Sequence, residues 1–341
     1  MIQMIKLPIT DQVPFRAFQV RGYEAAILFA TDKNGEEFFY NTAINCFLRH
    51  RKDGPMMFDF ICEHTPWSYL QDVFFTHVQE FDSCDLIPDS VISRVKHYLD
   101  HRIYVSGYFN EKFIPHKNAY QKYDFEHSFL LYGYDDAEQQ FYAIGYTNKG
   151  KFEFYTMSFQ DFAKGFLGLE KTRFYLYYRN SNQMISLNLE SLFYELEDYL
   201  RSDYTIHGAI GKHKDDYYGI HAMKALWFYV KISAYRGRGL DVRKSRFFFE
   251  HKEWMMKRLS YLHDKGFIKD YSERYAVVVQ KAKTMHLLFL KYNMTRKPEF
   301  IDSILRILNE ANQLDEEVLF DVYDELKARI IQEKKTRFLY G

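Results

Sequence analysis

Between Tyr104 and Asn180 apolar and polar positions alternate in short runs: "YVSGYFN", "HSFLLYGYDD", "QQFYAIGYTN", "KFEFYTMS" and "KTRFYLYYRN". Runs of this length and period predict consecutive antiparallel strands, because successive side chains on a strand point to opposite faces. The breaks "YDDAEQ" and "TNKGK" are rich in turn formers. Before the last run, "SFQDFAKGF" predicts a short helix, with Ser158 as N-cap and Asp161 three residues on.

Upstream, "YEAAILFAT" predicts a strand, and "DKNGEEFFYNTAINCF" predicts a hairpin partner reached through Asn34-Gly35. "FDFICEH" predicts another short strand. "SVISRVKHYLDHR" places Val91, Val95, Tyr98 and Leu99 on one helical face, with Ser90 as N-cap.

Past Asn182 the apolar spacing changes to three and four. "NLESLFYELEDYLRS", "YYGIHAMKALWFYVKISA", "KSRFFFEHKEWMMKRLSYLHDKG" and the two long segments after them predict a helical bundle. Gly266 marks a helix stop. In "EHKEWMMKRLSYL", Met255, Leu259 and Leu262 are expected inside and the charged residues in water. The pattern predicts an α+β chain: an antiparallel-sheet domain over 1–180, a linker at Arg179–Gln183, and an all-α domain over 184–341.

Composition narrows the function classes. A length of 341 residues suits two domains. The 46 basic and 46 acidic residues cancel, so no global field draws the chain to nucleic acid or to an anionic membrane. Glycine spacing of the Walker or Rossmann kind is absent, which disfavours ATP and NAD. Three cysteines without a CxxC give neither a disulfide framework nor a structural zinc site. HExxH is absent, and "FICEH" and "EHKEW" do not space a ligand set, so no metal is expected. The start "MIQMIKLPITDQVPF" lacks the pattern of a signal peptide, and no apolar run reaches a membrane span. A reducing cytoplasm is expected.

One stretch carries more. In "HSFLLYGYDD" a histidine opens an apolar run that ends in Gly-Tyr-Asp. A turn, an aromatic strand and a Ser-led helix follow. This order resembles the second half of C39-like and papain-like cysteine enzymes. With the helical half containing "FFFEHKEWMMKRLSYL", the whole chain resembles the butirosin biosynthesis protein H family through its N-terminal domain. The resemblance covers residues 20–180 as a catalytic-type domain and implies a papain-like sheet. It implies that His127 heads a central strand and serves as general base. It also implies a thiolate near the start of a helix, and an Asn or Asp that orients the imidazole. The orienting position falls on Gly145 or Tyr146, with Asn148 as the substitute. Cys46 is the candidate nucleophile, ahead of Cys62 and of Cys84, which sits among acids.

The activity the resemblance implies is transfer of an acyl or aminoacyl group from a carrier-protein thioester to an amine or hydroxyl, in the biosynthesis of nonribosomal peptides or related metabolites. No cofactor is implied beyond the phosphopantetheine arm of an acyl- or peptidyl-carrier protein, and the other partner is a small-molecule acceptor. Two alternatives stand beside it: a catalytically degenerate accessory module of a peptide synthetase, and a C39-like cysteine peptidase. Asn45, Tyr123, Tyr146 and Arg238 are candidates for lining the substrate pocket. Arg238 belongs to a basic loop with Arg236, Arg243, Lys244 and Arg246, suited to an anionic partner. The bland counterparts are a strand-edge histidine tied to Asp124, a packed Cys46, a solvated loop, and Asp135 and Asp136 as an ordinary turn.

Overall fold

A computed structural model describes residues 3–49, 56–61, 74–82, 86–179, 184–205 and 216–340. In chain order the elements are β1 (Met4–Lys6), α1 (Gln19–Thr31), α2 (Gly35–Thr42), β2 (Cys46–Arg49), β3 (Met57–Phe60), β4 (Phe74–Asp82), α3 (Pro88–Asp100), β5 (Tyr104–Asn110), β6 (Glu126–Asp135), β7 (Gln140–Tyr146), β8 (Phe152–Ser158), α4 (Phe159–Leu167) and β9 (Lys171–Arg179). Then come α5 (Leu189–Arg201), β10 (Asp216–Tyr218), α6 (Gly219–Tyr235), α7 (Val242–Asp264), α8 (Ser272–Thr295) and α9 (Glu299–Tyr340). The chain is α+β, with its strands antiparallel and its long helices C-terminal.

Two compact units divide it. The first comprises residues 1–36 and 64–185, the second 37–63 and 186–341. Residues 37–63 thus join the helical half, whereas the sequence pattern places everything up to 180 in the sheet domain.

In the first unit the strands run β4-β9-β5-β6-β7-β8, and β1 adds to β6. Alternation in the sequence matches this sheet, and α4 packs its aromatic stripe on one face. Phe162 meets Phe129 at 5.2 Å and Phe141 at 5.1 Å, and Phe166 stacks on Phe174 at 4.5 Å. Ser158 caps α4 as expected, its Oγ accepting from the Asp161 amide at 3.0 Å. The glycine of "LLYGYD" has a steric reason. A Cβ on Gly133 would lie 2.2 Å from the Ile5 carbonyl oxygen of β1.

Three local expectations are corrected. "YEAAILFAT" is helix α1, not a strand. Tyr23, Ala25, Ala26, Ile27 and Leu28 are all at most 1% exposed, and a run buried on every side carries no period to separate helix from strand. Asn34-Gly35 starts α2 instead of turning a hairpin: Asp32 accepts from the Asn34 amide through its side chain and from the Gly35 amide through its carbonyl. Ser90 is not the N-cap of α3, because Pro88 and Asp89 are already helical and Ile87 precedes them.

In the second unit β10, β2 and β3 form a small sheet, with Phe47, Ile61 and Tyr218 clustered. Helix α7 departs from the expected amphipathic pattern. Met255, Leu259 and Leu262 are buried, but so are Glu250, His251, Lys252 and Arg258. Each has work to do in the interior. Arg258 donates to the carbonyls of Phe39, Tyr40 and Ala43 at 3.0, 2.8 and 2.7 Å, and Trp254 Nε1 donates to Phe39 at 3.2 Å. These carbonyls lie at and just past the C-terminal end of α2, where acceptors outnumber the helix's own donors. Lys252 is paired with Asp315 at 2.7 Å, both side chains fully buried, and Tyr199 and Tyr275 donate to the same carboxylate. Burial of these ions is tolerated because every charge has a partner.

Candidate functional site

The site is assembled by a short turn. After β5 the chain makes one 3-10 turn, Glu111–Phe113, before returning as β6. Asn110 ties the two passes together. Its Oδ1 accepts from the amides of Lys112 and Phe125, each at 3.1 Å, and its Nδ2 donates to Asp124 at 2.8 Å. The Glu111 amide donates to the Phe125 carbonyl at 2.8 Å. Register then sets the side chains: Phe109 lies opposite His127 and Asn110 opposite Glu126. Glu111 is the next residue, and it falls beside the imidazole.

His127 Nδ1 lies 2.8 Å from Glu111 Oε1. The carboxylate accepts from Nδ1–H, so in the neutral ring the lone pair is on Nε2. Among the described residues Nε2 has no hydrogen-bond partner. The His127 side chain is 35% exposed, whereas that of Glu111 is 6% exposed. A buried carboxylate behind a half-exposed imidazole is the arrangement that fixes a tautomer and orients a general base.

Behind Glu111 lies Lys117, 3% exposed. Its Nζ is 3.9 Å from the same Oε1, donates to the Tyr146 carbonyl at 2.5 Å, and sits 4.4 Å from the centre of the Tyr155 ring. Burial pulls the Lys117 ammonium down to about 8, the Glu111 charge only partly opposing it. Burial likewise pushes Tyr155 and Tyr23 above the usual phenol range.

On the adjoining stretch of β6, the start of α1 docks through Gln19. Its Nε2 donates to the Ser128 carbonyl at 2.6 Å and to Ser128 Oγ at 3.0 Å, while its Oε1 accepts from the Tyr146 amide at 2.7 Å. Tyr23, one turn on, donates to the same Ser128 carbonyl at 3.1 Å. Gly145 permits this approach, since a Cβ there would be 2.9 Å from Gln19 Oε1.

The sequence-derived candidates separate. His127, Tyr123, Tyr146 and Asn148 belong to the first unit, Asn45, Cys46 and Arg238 to the second. Asp124 does not hold His127; it is spent on Asn110 and Lys112. Asn148 does not orient the imidazole, whose Nδ1 is engaged by Glu111. The Asn148 side chain is exposed, and its amide donates to the His116 carbonyl at 2.6 Å. Tyr146 is a scaffold residue: its hydroxyl donates to the Arg16 carbonyl at 2.6 Å and its amide and carbonyl are both used. Tyr123 is 53% exposed and stands 6.3 Å from the Phe125 ring.

Cys46 is fully buried, its Sγ 3.5 Å from the Gly219 carbonyl, and burial drives its thiol far above the ordinary range. A thiol held protonated and out of solvent is no nucleophile. Asn45 is spent on its neighbours: its Nδ2 donates to the Asp203 carbonyl and its Oδ1 accepts from the Cys46 amide, both at 2.9 Å. Arg238 is exposed, while Arg243 and Lys244 are paired with Asp241, and Arg246 with Glu250. Asp135 takes the amides of Ala137 and Glu138, as a turn residue does. Cys62, His64 and Cys84 lie outside the described residues. Among the described residues no cluster of three or more His, Cys, Asp or Glu could hold a metal, and no helix is long and apolar enough to cross a membrane.

Glu111 and Lys117 are the residues that sequence reasoning missed. The available signal was "FNEKF": a polar Asn-Glu pair ending one strand of a presumed sheet, with the histidine opening another. No protein-family model matches the chain, and a search of curated proteins finds no relative.

Proposed function

We propose that the protein is an acyltransferase that uses His127 as a general base, oriented by Glu111, without a covalent cysteine intermediate. The observation that carries this reading is the 2.8 Å contact between His127 Nδ1 and Glu111 Oε1, with no hydrogen-bond partner for Nε2 among the described residues. The resemblance of "HSFLLYGYDD" and its surroundings to the butirosin biosynthesis protein H family supplies the substrate class: an acyl or aminoacyl thioester on a carrier protein, and an amine or hydroxyl acceptor. The sheet is then read as papain-like, with α1 in the place of the nucleophile helix and cytoplasmic synthesis as the setting. In that frame the helix begins with Gln19, an amide already committed on both of its ends, so the thiol position is filled by a structural residue.

The reaction needs no covalent enzyme intermediate. His127 Nε2 takes the proton from the acceptor N–H or O–H as its lone pair attacks the thioester carbonyl. The C–S bond breaks, and the departing thiolate receives that proton from the imidazolium. Glu111 stabilises the imidazolium between the two transfers.

The test uses acyl thioesters of N-acetylcysteamine with a panel of amines, following thiol release. The reading expects release that depends on acceptor and falls at least about 100-fold in His127→Ala, the usual scale of general-base catalysis. Release unaffected by His127→Ala would overturn it. A second reading, a binding module that has lost its chemistry, is favoured by Gln19 and by the burial of Cys46. It expects carrier-protein binding with no thiol release at all. The peptidase reading needs a reactive thiol, and Cys46 does not supply one.

A further inference from the structure

The ladder between β5 and β9 ends early. Its last pair is Gly107 with Phe174, although β5 continues to Asn110 and β9 begins at Lys171. Beyond that pair the described register continues on the outer sides. Tyr108 to Asn110 stay paired with β6, and Lys171 to Arg173 stay paired with β4. The sheet therefore opens as a wedge. A trough of about 710 Å³ occupies the opening, bordered among others by Tyr108, Phe125, Glu126, Leu169, Lys171 and Tyr175.

The polar groups around this trough are not equivalent. Asp124 is committed to Asn110 and Lys112, and Arg173 is paired with Glu80 at 3.4 Å. Glu126 and Lys171 make no ion pair and no hydrogen bond through their side chains among the described residues. They stand on opposite banks, Glu126 at the start of β6 and Lys171 at the start of β9, with β5 between. Two strand spacings of about 4.8 Å each separate their backbones by at least roughly 10 Å. Between them Tyr108 and Tyr175 form an edge-to-face pair at 6.2 Å, and Phe125 is 45% exposed on the rim.

We propose that this trough binds a short, extended zwitterionic ligand of the dipeptide class, its ammonium on Glu126 and its carboxylate on Lys171. Two extended residues place the end groups about 6–7 Å apart, a spacing that two charged side chains rooted roughly 10 Å apart can meet from either bank. The tyrosine pair and Phe125 offer aromatic surface to a side chain of the ligand. This site goes beyond the role given to His127, and its test needs no turnover.

The experiment is an amide chemical-shift titration of the full chain with Gly-Phe, N-acetyl-Gly-Phe and Gly-Phe amide. The proposal expects saturable shifts at Tyr108, Leu169 and Lys171. Blocking either end weakens binding about two- to fivefold, the scale of an exposed ion pair. Glu126→Gln erases the preference for the free ammonium but not that for the free carboxylate, and Lys171→Gln does the reverse. Both residues are exposed, so the variants keep the fold. Absence of saturable shifts at these residues, or end-group preferences that survive both substitutions, overturns the proposal.

Discussion

Glu111 Oε1 is shared: it lies 2.8 Å from His127 Nδ1 and is approached from behind by Lys117 Nζ at 3.9 Å. The carboxylate that orients the imidazole is therefore itself held against a buried cation. Replacing it separates orientation from charge. In Glu111→Gln the amide can offer Nδ1 either an acceptor or a donor, so the His127 ring is no longer held in one tautomer. Imidazole nitrogen chemical shifts of the two proteins at one pH check this. An unchanged single tautomer would mean that Glu111 does not govern the ring.

Lys117 gives a stability signature with a defined sign. Its folded-state value of about 8 lies below the ordinary lysine value near 10.5. Between these values the unfolded chain holds more protons than the folded one, so this group makes stability rise with pH. The slope is at most about 1.4 kcal/mol per pH unit. Buried tyrosines act oppositely above about pH 10, where the unfolded chain loses phenol protons first. Denaturant midpoints from pH 7.5 to 9.5 should therefore climb relative to Lys117→Met, and parallel curves for the two proteins would refute the assignment.

Arg258 closes the C-terminal end of α2 with three hydrogen bonds from a fully buried guanidinium. Arg258→Met takes the guanidinium donor from the Tyr40 and Ala43 carbonyls, while Phe39 keeps Trp254 and the Ala43 amide. A loss of about 2–4 kcal/mol is expected, at about 1–3 kcal/mol for each buried acceptor left unsatisfied. Urea denaturation monitored by tryptophan emission suits this test, because Trp254 donates to the same helix end.

Cys46 should be inert. Iodoacetamide on the native protein, followed by peptide mass spectrometry, is expected to leave the Cys46 peptide unmodified and to alkylate it once urea is added. Alkylation under native conditions would contradict its burial and its place against Gly219.

What the sequence disclosed follows from periodicity. The helices α5, α6, α8 and α9 bury one side and expose another, so their period names them; β5 to β7 are buried on both faces over most of their length and are named by short aromatic runs with turn residues between them. Helix α1 is buried all round, and its Ala-Ala-Ile-Leu run reads equally well as a strand. His127 could be singled out because a motif surrounds it. Glu111 could not, because its role depends on a register between β5 and β6 that no single run contains. Lys252 and Arg258 looked like solvated charges because their partners, Asp315 and the end of α2, lie far away in sequence.

The chain passes between its two units three times, at about 36, 63 and 185. A segment made early in translation, residues 37–63, finds its partners only after residues 186–341 have been synthesised. The helical unit is thus an assembly of high sequence separation despite its helical content, and the closure entropy of the intervening chain must be met before those contacts reward it. A fragment cut at the obvious linker near 183 would contain every long helix of that unit and still lack the strands and the helix end that its buried arginine was built to hold.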